Sequence, residues 1–270
     1  MMNEDIAADL RAEYAELAVL CRTLTPDQWR AKTAFYGWTP WDEIAHLCFF
    51  DETSLLAVTD AAAFARDTAA LDARLAAGQE YSAIARDKYR HLEGAELLAH
   101  WGPISARLVD ALAVLDPKAR LPWYGPSMSA LSFATARLME TWAHGQDVWD
   151  VVRRVRPATP RLKHIAHLGV TTYGWTFVNR KLPVPQPIPF VALTAPDGTV
   201  WTWGDSASPQ SVRGTAQDFC LVVTQRRNVA DTALVVSAGA ASQWLSITQC
   251  FAGPPATGPA PGVRKIAAAT

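Results

Sequence analysis

Four prolines at alternate positions, Pro183-Val-Pro-Gln-Pro-Ile-Pro189, divide the sequence into two parts of different character. Each ring fixes φ and removes a backbone N–H, so the run is extended and forms a linker or a sheet edge, not a helix. Before it, apolar residues recur at helical spacing. After it, short β-rich runs alternate with turn signals.

In the first part, Ile6, Leu10, Tyr14, Leu17, Leu20 and Cys21 predict an amphipathic helix over residues 4–23. Thr25-Pro26-Asp27-Gln28 is a helix start, with Thr as cap, Pro at the first position and Gln at the third. It opens a single turn carrying Trp29. Thr39-Pro40-Trp41-Asp42 repeats the signal and launches a helix to about Thr59, with Ile44, Leu47, Leu55 and Leu56 as its apolar surface. Residues 60–92 are alanine-rich, charged and helical in pattern. Gly94 to Leu115 is a further helix, with Pro103 near its start or kinking it, and Asp116-Pro117 ends it. Leu121-Pro-Trp-Tyr-Gly-Pro126 is a loop with two aromatics, and Ser127 is a candidate cap for a helix over Phe133–Val152. Four long helices in residues 1–155 make a helical bundle. One more helix is expected over Arg161–Arg180.

Beyond the proline run, Phe190–Thr194 and Val200–Trp203 read as strands joined at an Asp197-Gly198 turn. Ser211–Gly214 is short and extended, Thr215–Arg226 helical, Val235-Val236 a strand or turn, and Ala241–Leu245 helical. The fold class is therefore α+β: a bundle over 1–156, a helix and Pro-rich linker over 157–189, and a small α+β domain over 190–251. From Gly253 on, Pro, Gly, Ala and Thr dominate, so a disordered tail is expected over 252–270.

Composition excludes more than it selects. The chain of 270 residues is 50% hydrophobic and 19% charged, enough core for one large or two modest domains and too little charge for global disorder. A net charge of −1 favours neither nucleic acid nor an anionic membrane. No apolar run reaches the length of a membrane span, and Met-Met-Asn-Glu-Asp lacks the features of a signal peptide. Cys21, Cys48, Cys220 and Cys250 are far apart, without zinc-knuckle or C-x-x-C spacing, so free thiols in a reducing cytoplasm are expected.

The chemistry concentrates in Glu140-Thr-Trp-Ala-His144-Gly-Gln-Asp147. Glu140 and His144 are four apart and share a helix face. A carboxylate and an imidazole so placed can grip one divalent ion with a third ligand from elsewhere, and His46 on the upstream helix is the candidate. A His/Glu/His set leaves coordination positions open, as catalytic zinc sites do. Arg137, Glu140, His144 and Asp147 also read as the solvated stripe of an amphipathic helix, and spacing alone leaves both readings open. His164 and His167, three apart, are a rival pair without an evident third partner. His91 and His100 fall in no motif.

Trp-x-Pro-Trp-Asp-x-Ile-x-His46-Leu, followed by Glu140-x-x-x-His144-Gly-x-Asp147 and a small α+β domain, resembles the mycothiol-dependent maleylpyruvate isomerase family of the DinB-like metalloproteins, in an actinobacterial metal-binding branch. The likeness extends to about residue 251. It implies a DinB-like four-helix bundle with a sterol-carrier-like second domain. It implies that His46, Glu140 and His144 hold zinc or another divalent metal, and that Asp147 orients the site. It also implies a functional arginine after the second domain's helix, where Arg226 and Arg227 stand, with Arg226 preferred. An Arg-Arg pair at a helix end also reads as complementing the helix dipole.

With zinc comes ionisation of a low-molecular-weight thiol such as mycothiol. Addition to a small electrophilic substrate would then give a conjugate, and addition, bond rotation and elimination would give isomerisation. The metal alternatively polarises a carbonyl. Two alternatives stay open: a thiol-independent metal-dependent tailoring enzyme (isomerase, cyclase or hydrolase), for which Trp123-Tyr124 and the many tryptophans suit a larger aromatic substrate, and a non-catalytic small-ligand-binding protein. The expected partners are a small molecule and, as related bundles often pair, a second copy in a homodimer.

Overall fold

The computed structural model describes residues 2–264, with side chains from Ile6 onward. It divides into two compact units, Met1–Val152 and Arg153–Thr270. The first is helical and the second mixes helices with a small sheet, an α+β architecture.

The first unit contains α1 (Met2–Cys21), α2 (Pro26–Arg30), α3 (Pro40–Thr59), α4 (Ala61–Ala76), α5 (Tyr81–Tyr89), α6 (Gly94–Ala113) and α7 (Ala130–Val151). Both threonine-proline signals act as read. Thr25 and Thr39 form complete capping boxes with Gln28 and Asp42, so α2 and α3 begin where their sequences dictate. The four long helices close a ring: α1 packs on α6 and α7, and α3 packs on the same two. Two residues, Asp60 and Gly78, punctuate the alanine-rich stretch. Asp60 caps α4, and Gly78, at φ +85, ends it. Pro103 lies inside α6, which continues through it.

Just before α7 the structure differs from the sequence expectation. Arg120–Leu121 (β1) and Met128–Ser129 (β2) pair antiparallel and clasp the aromatic loop between them. The helix start moves from Ser127 to Ser129, whose hydroxyl accepts from the Ser132 N–H at 3.1 Å. Each strand has two residues, too short for periodicity to register.

One carboxylate ties the ring together. Asp51 of α3 is fully buried. Its Oδ1 accepts from Tyr14 Oη of α1 at 2.8 Å and from Arg137 Nε of α7 at 2.9 Å, and its Oδ2 from Trp101 Nε1 of α6 at 2.7 Å. Three donors from three helices offset the cost of dehydrating the charge.

In the second unit, α8 (Leu162–Thr171) and α9 (Tyr173–Val178) replace the single helix expected over 161–180. The break follows from two adjacent threonines whose hydroxyls bond back into the preceding turn, Thr171 to His167 O at 2.9 Å and Thr172 to Leu168 O at 2.8 Å. The sheet comprises β3 (Phe190–Thr194), β4 (Val200–Trp203), β5 (Ser211–Thr215) and β6 (Val235–Val236), in spatial order β4-β3-β5-β6. β3 and β4 form the expected hairpin, with Gly198 at φ +84, and β3 runs parallel to β5. The connection between the parallel strands β3 and β5 runs through β4, and α10 (Ala216–Val223) follows β5 directly and packs on α8 and β5, while α11 (Ala240–Ile247) packs on α9.

The tail also departs from expectation. Ala256 O accepts from Arg180 Nη2 and Gln225 Nε2, Asn228 Nδ2 reaches Pro259 O, and the Arg264 guanidinium is buried against Gln225 O. Backbone carbonyls of a Pro/Gly-rich segment are free to accept, and side chains from the folded unit supply donors, so residues 252–264 are held. Residues 265–270 of the expected tail lie outside the described residues.

Removing Asp51 leaves the Arg137 charge buried without its counter-ion. Asp51→Ala is expected to destabilise the protein by about 3–5 kcal/mol in urea unfolding monitored by circular dichroism. An unchanged midpoint would show that the carboxylate does not tie the helices together.

Candidate metal centre

α3 and α7 face each other along the bundle interior, and each brings part of one cluster. His46 lies two turns into α3. Glu140 and His144 are one turn apart on α7. His144 Nε2 is 3.2 Å from Glu140 Oε2, His46 Nε2 is 3.7 Å from the same oxygen, and the two imidazole rings are 4.4 Å apart. One donor atom from each residue lies within 4.8 Å of the other two. Donors on a single tetrahedral zinc stand about 3.4 Å apart, as bonds of about 2.1 Å require, so this trio fits one divalent ion with little movement. The chemistry agrees: two imidazole nitrogens and a carboxylate are a borderline set that leaves coordination positions open. The side chains of His46 and Glu140 are 17% and 24% exposed against 5% for His144, so the cluster opens on the His46–Glu140 side.

Burial would raise the Glu140 carboxyl, but the hydrogen bonds and positive charge of His144 and His46 outweigh it and hold the group well below the usual carboxylate range. The carboxylate is thus ionised and ready to bind a cation.

Sequence reasoning missed Glu43. It sits one turn before His46 on α3, is fully buried, and places Oε2 2.6 Å from His144 Nδ1. A carboxylate there holds a proton on Nδ1, so that Nε2, which faces Glu140 and His46, is the nitrogen that would lose its proton to a bound cation. The only signal was its spacing of three from His46, in a sequence where any exposed glutamate would look the same. Asp147, expected to orient the site, is buried, and Glu43, His144 and Asp147 also bring donor atoms within 4.8 Å of one another. The α7 stripe is therefore interior: Arg137, His144 and Asp147 are all buried, and the solvated-face reading does not hold.

Aromatic rings surround the imidazoles. Trp38 stacks on His144 at 5.8 Å and tilts over His46 at 5.3 Å, and Phe35 meets His144 edge-on at 5.5 Å. Phe50, one turn beyond His46, stands 4.7 Å from its ring. From Phe50 the wall continues through Tyr81 and Tyr124 to Trp123, which meets Phe64 and Phe133.

In the second unit, Arg226 and Arg227 are both buried in the turn after α10. Their N–H groups both bond to Leu221 O, and their guanidinium groups donate to Thr224 O and Arg226 O, as cations closing a helix C-terminus do. His167 Nδ1 accepts from Trp203 Nε1 at 3.2 Å. Among the described residues, no metal-capable trio includes His164, His167 or His91, whereas His100 joins one with Cys48 and Glu52.

The family model described as the mycothiol maleylpyruvate isomerase N-terminal domain matches residues 10–149. Two Mycobacterium tuberculosis relatives, Uncharacterized protein MT0041 of strain CDC 1551 / Oshkosh and Uncharacterized protein Rv0036c of strain H37Rv, are each 43% identical over 251 residues, spanning 93% of this chain and 96% of theirs. Two crystal structures, of the mycothiol-dependent maleylpyruvate isomerase and of a mutant of it with a histidine replaced by alanine, share the fold with TM-scores of 0.54 and 0.53. Each is 14% identical to this chain and covers 87% of it and 93% of its own length. The match over residues 10–149, with 43% identity across most of the chain, makes this protein a member of the mycothiol-dependent maleylpyruvate isomerase family, a family of enzymes.

Proposed function

We propose that the protein is a divalent-metal enzyme, with zinc at His46, Glu140 and His144, that uses an external low-molecular-weight thiol on a small electrophilic substrate. The observation that carries this is the donor trio on α3 and α7, with Glu43 behind His144. A divalent ion held there supplies the positive charge that ionises a thiol or polarises a carbonyl at neutral pH.

The chain's own residues divide the remaining work. Glu43 keeps the Nδ1 proton on His144, and Trp38 and Phe35 fix the plane of its ring. Asp147 orients the same imidazole from the following turn. Phe50 and the aromatic wall exclude water and take the apolar part of the substrate. Arg226, rather than Arg227, is the proposed partner for a substrate carboxylate. The protein brings no thiol of its own: all four cysteines are buried, and burial pushes Cys48 up to about 12 and Cys21 and Cys220 higher still. The thiol must come from outside, and mycothiol is the one named for the family. Isomerisation of an unsaturated substrate is the preferred outcome, and thiol transfer the variant in which elimination does not follow.

A second reading is a metal-dependent tailoring enzyme that needs no thiol. The extent of the aromatic wall, from Phe50 to Phe133, favours it for a bulky aromatic substrate. No helix among the described residues is long and apolar enough to cross a membrane. A cytoplasmic, homodimeric enzyme is the proposed working form.

Metal content by plasma mass spectrometry tests the centre. His46→Ala, Glu140→Ala and His144→Ala are each expected to hold about one equivalent less than wild type while keeping their helical circular dichroism. Equal metal in all four proteins would overturn the assignment. Glu43→Ala is expected to weaken metal affinity by about 10–100-fold, with Glu43→Gln intermediate, in competition with a chromophoric chelator. Turnover of maleylpyruvate and related unsaturated electrophiles is expected only with mycothiol present. Turnover at the same rate without thiol would favour the second reading.

A further inference from the structure

Two residues beyond His46, α3 presents a different flank. Cys48 leaves the helix there, with Glu52 one turn further on, and His100 of α6 faces both. Glu52 Oε1 is 3.0 Å from His100 Nε2 and 3.9 Å from Cys48 Sγ, and the three donor atoms all lie within 4.8 Å of one another. None of them belongs to the centre described above.

Two further observations mark the cluster. Tyr89, at the end of α5, is 2% exposed; its hydroxyl stands beside Cys48 and Glu52 yet makes no hydrogen bond of normal geometry. Its oxygen is a buried polar atom left unsatisfied at the edge of a donor set, which is costly unless something else enters. The second is that a cation is already there. The Lys88 ammonium contacts Glu52 Oε2 and lies 5.4 Å over the rings of Phe49 and Tyr89. Its side chain is 44% exposed, so it can swing away into water.

We propose that Cys48, Glu52 and His100 form a second divalent-metal site, with Lys88 as the displaceable cation that fills it when no metal is bound. Sulfur, imidazole nitrogen and carboxylate oxygen together select zinc or another borderline ion. Calcium and magnesium, which require oxygen ligands, are excluded. The His100 side chain, 46% exposed, gives the ion its entry. Binding releases the thiol proton to solvent and leaves a position for water, toward which the Tyr89 hydroxyl is available. The site joins α3 to α6 one turn beyond His46, so filling it braces the helix that carries the first centre.

Cobalt separates the two centres, because only this one contains sulfur. The full-length protein loaded with Co2+ is expected to show a thiolate-to-cobalt absorption band in the near ultraviolet. The band should persist in His46→Ala and His144→Ala and vanish in Cys48→Ala. His100→Ala, at a partly exposed position that leaves the core intact, is expected to weaken the metal affinity read from the band by at least about tenfold. Lys88→Ala should strengthen it severalfold. Absence of the band from wild type, its survival in Cys48→Ala, or an unchanged affinity in His100→Ala would overturn the proposal. None of these results depends on whether the first centre binds metal.

Discussion

The Asp51 carboxylate is the constraint on which the rest of the first unit depends. Its three donors come from α1, α6 and α7, so one charge fixes the rotation of all four long helices about their axes. Arg137, one of the three, lies one turn before Glu140 on α7, and Asp51 follows His46 by little more than a turn on α3. The contact that holds α3 to α7 therefore also sets how closely His46 meets Glu140 and His144. A bundle built on apolar packing alone would tolerate small rotations about each helix. A buried ion pair does not, because any rotation exposes an unpaired charge to the core.

How far the sequence revealed this depended on the kind of signal. Capping is local, so the starts of α2 and α3 were legible from Thr25 and Thr39 alone. Helical spacing is also local, and it put Glu140 and His144 on one face. What their shared face met was a tertiary matter. The α7 stripe has the polarity of a solvated surface, and only the packing of α3 against it makes it interior. Glu43 and Asp51 were invisible for the same reason: a buried carboxylate and an exposed one are the same letter. Arg226 and Arg227 could be located but not assigned. The β1–β2 clasp fell below the length at which alternation can be read, and the held segment 252–264 owes its order to distant donors such as Arg180 and Gln225.

The residues of the proposed metal centre also differ in how they are supported. His144 is held on every side: Glu43 at Nδ1, Trp38 on its face, Phe35 at its edge. His46 has aromatic neighbours and more exposure. The better-fixed imidazole defines the geometry, and the more open one borders the space where a substrate would enter. In this the site follows a general rule, that a precise constellation rests on packed elements while access comes from one side.

The β1–β2 clasp has a further consequence. Leu121 and Met128 pair directly, and Ala119 O and Pro117 O receive the Ala130 and Leu131 N–H groups at the base of α7. The register of α7 is thus fixed below the loop that carries Trp123 and Tyr124. That loop can lengthen, shorten or exchange its aromatics while Glu140 and His144 stay where they are. A change of length or sequence in that loop would leave the folding of the bundle undisturbed.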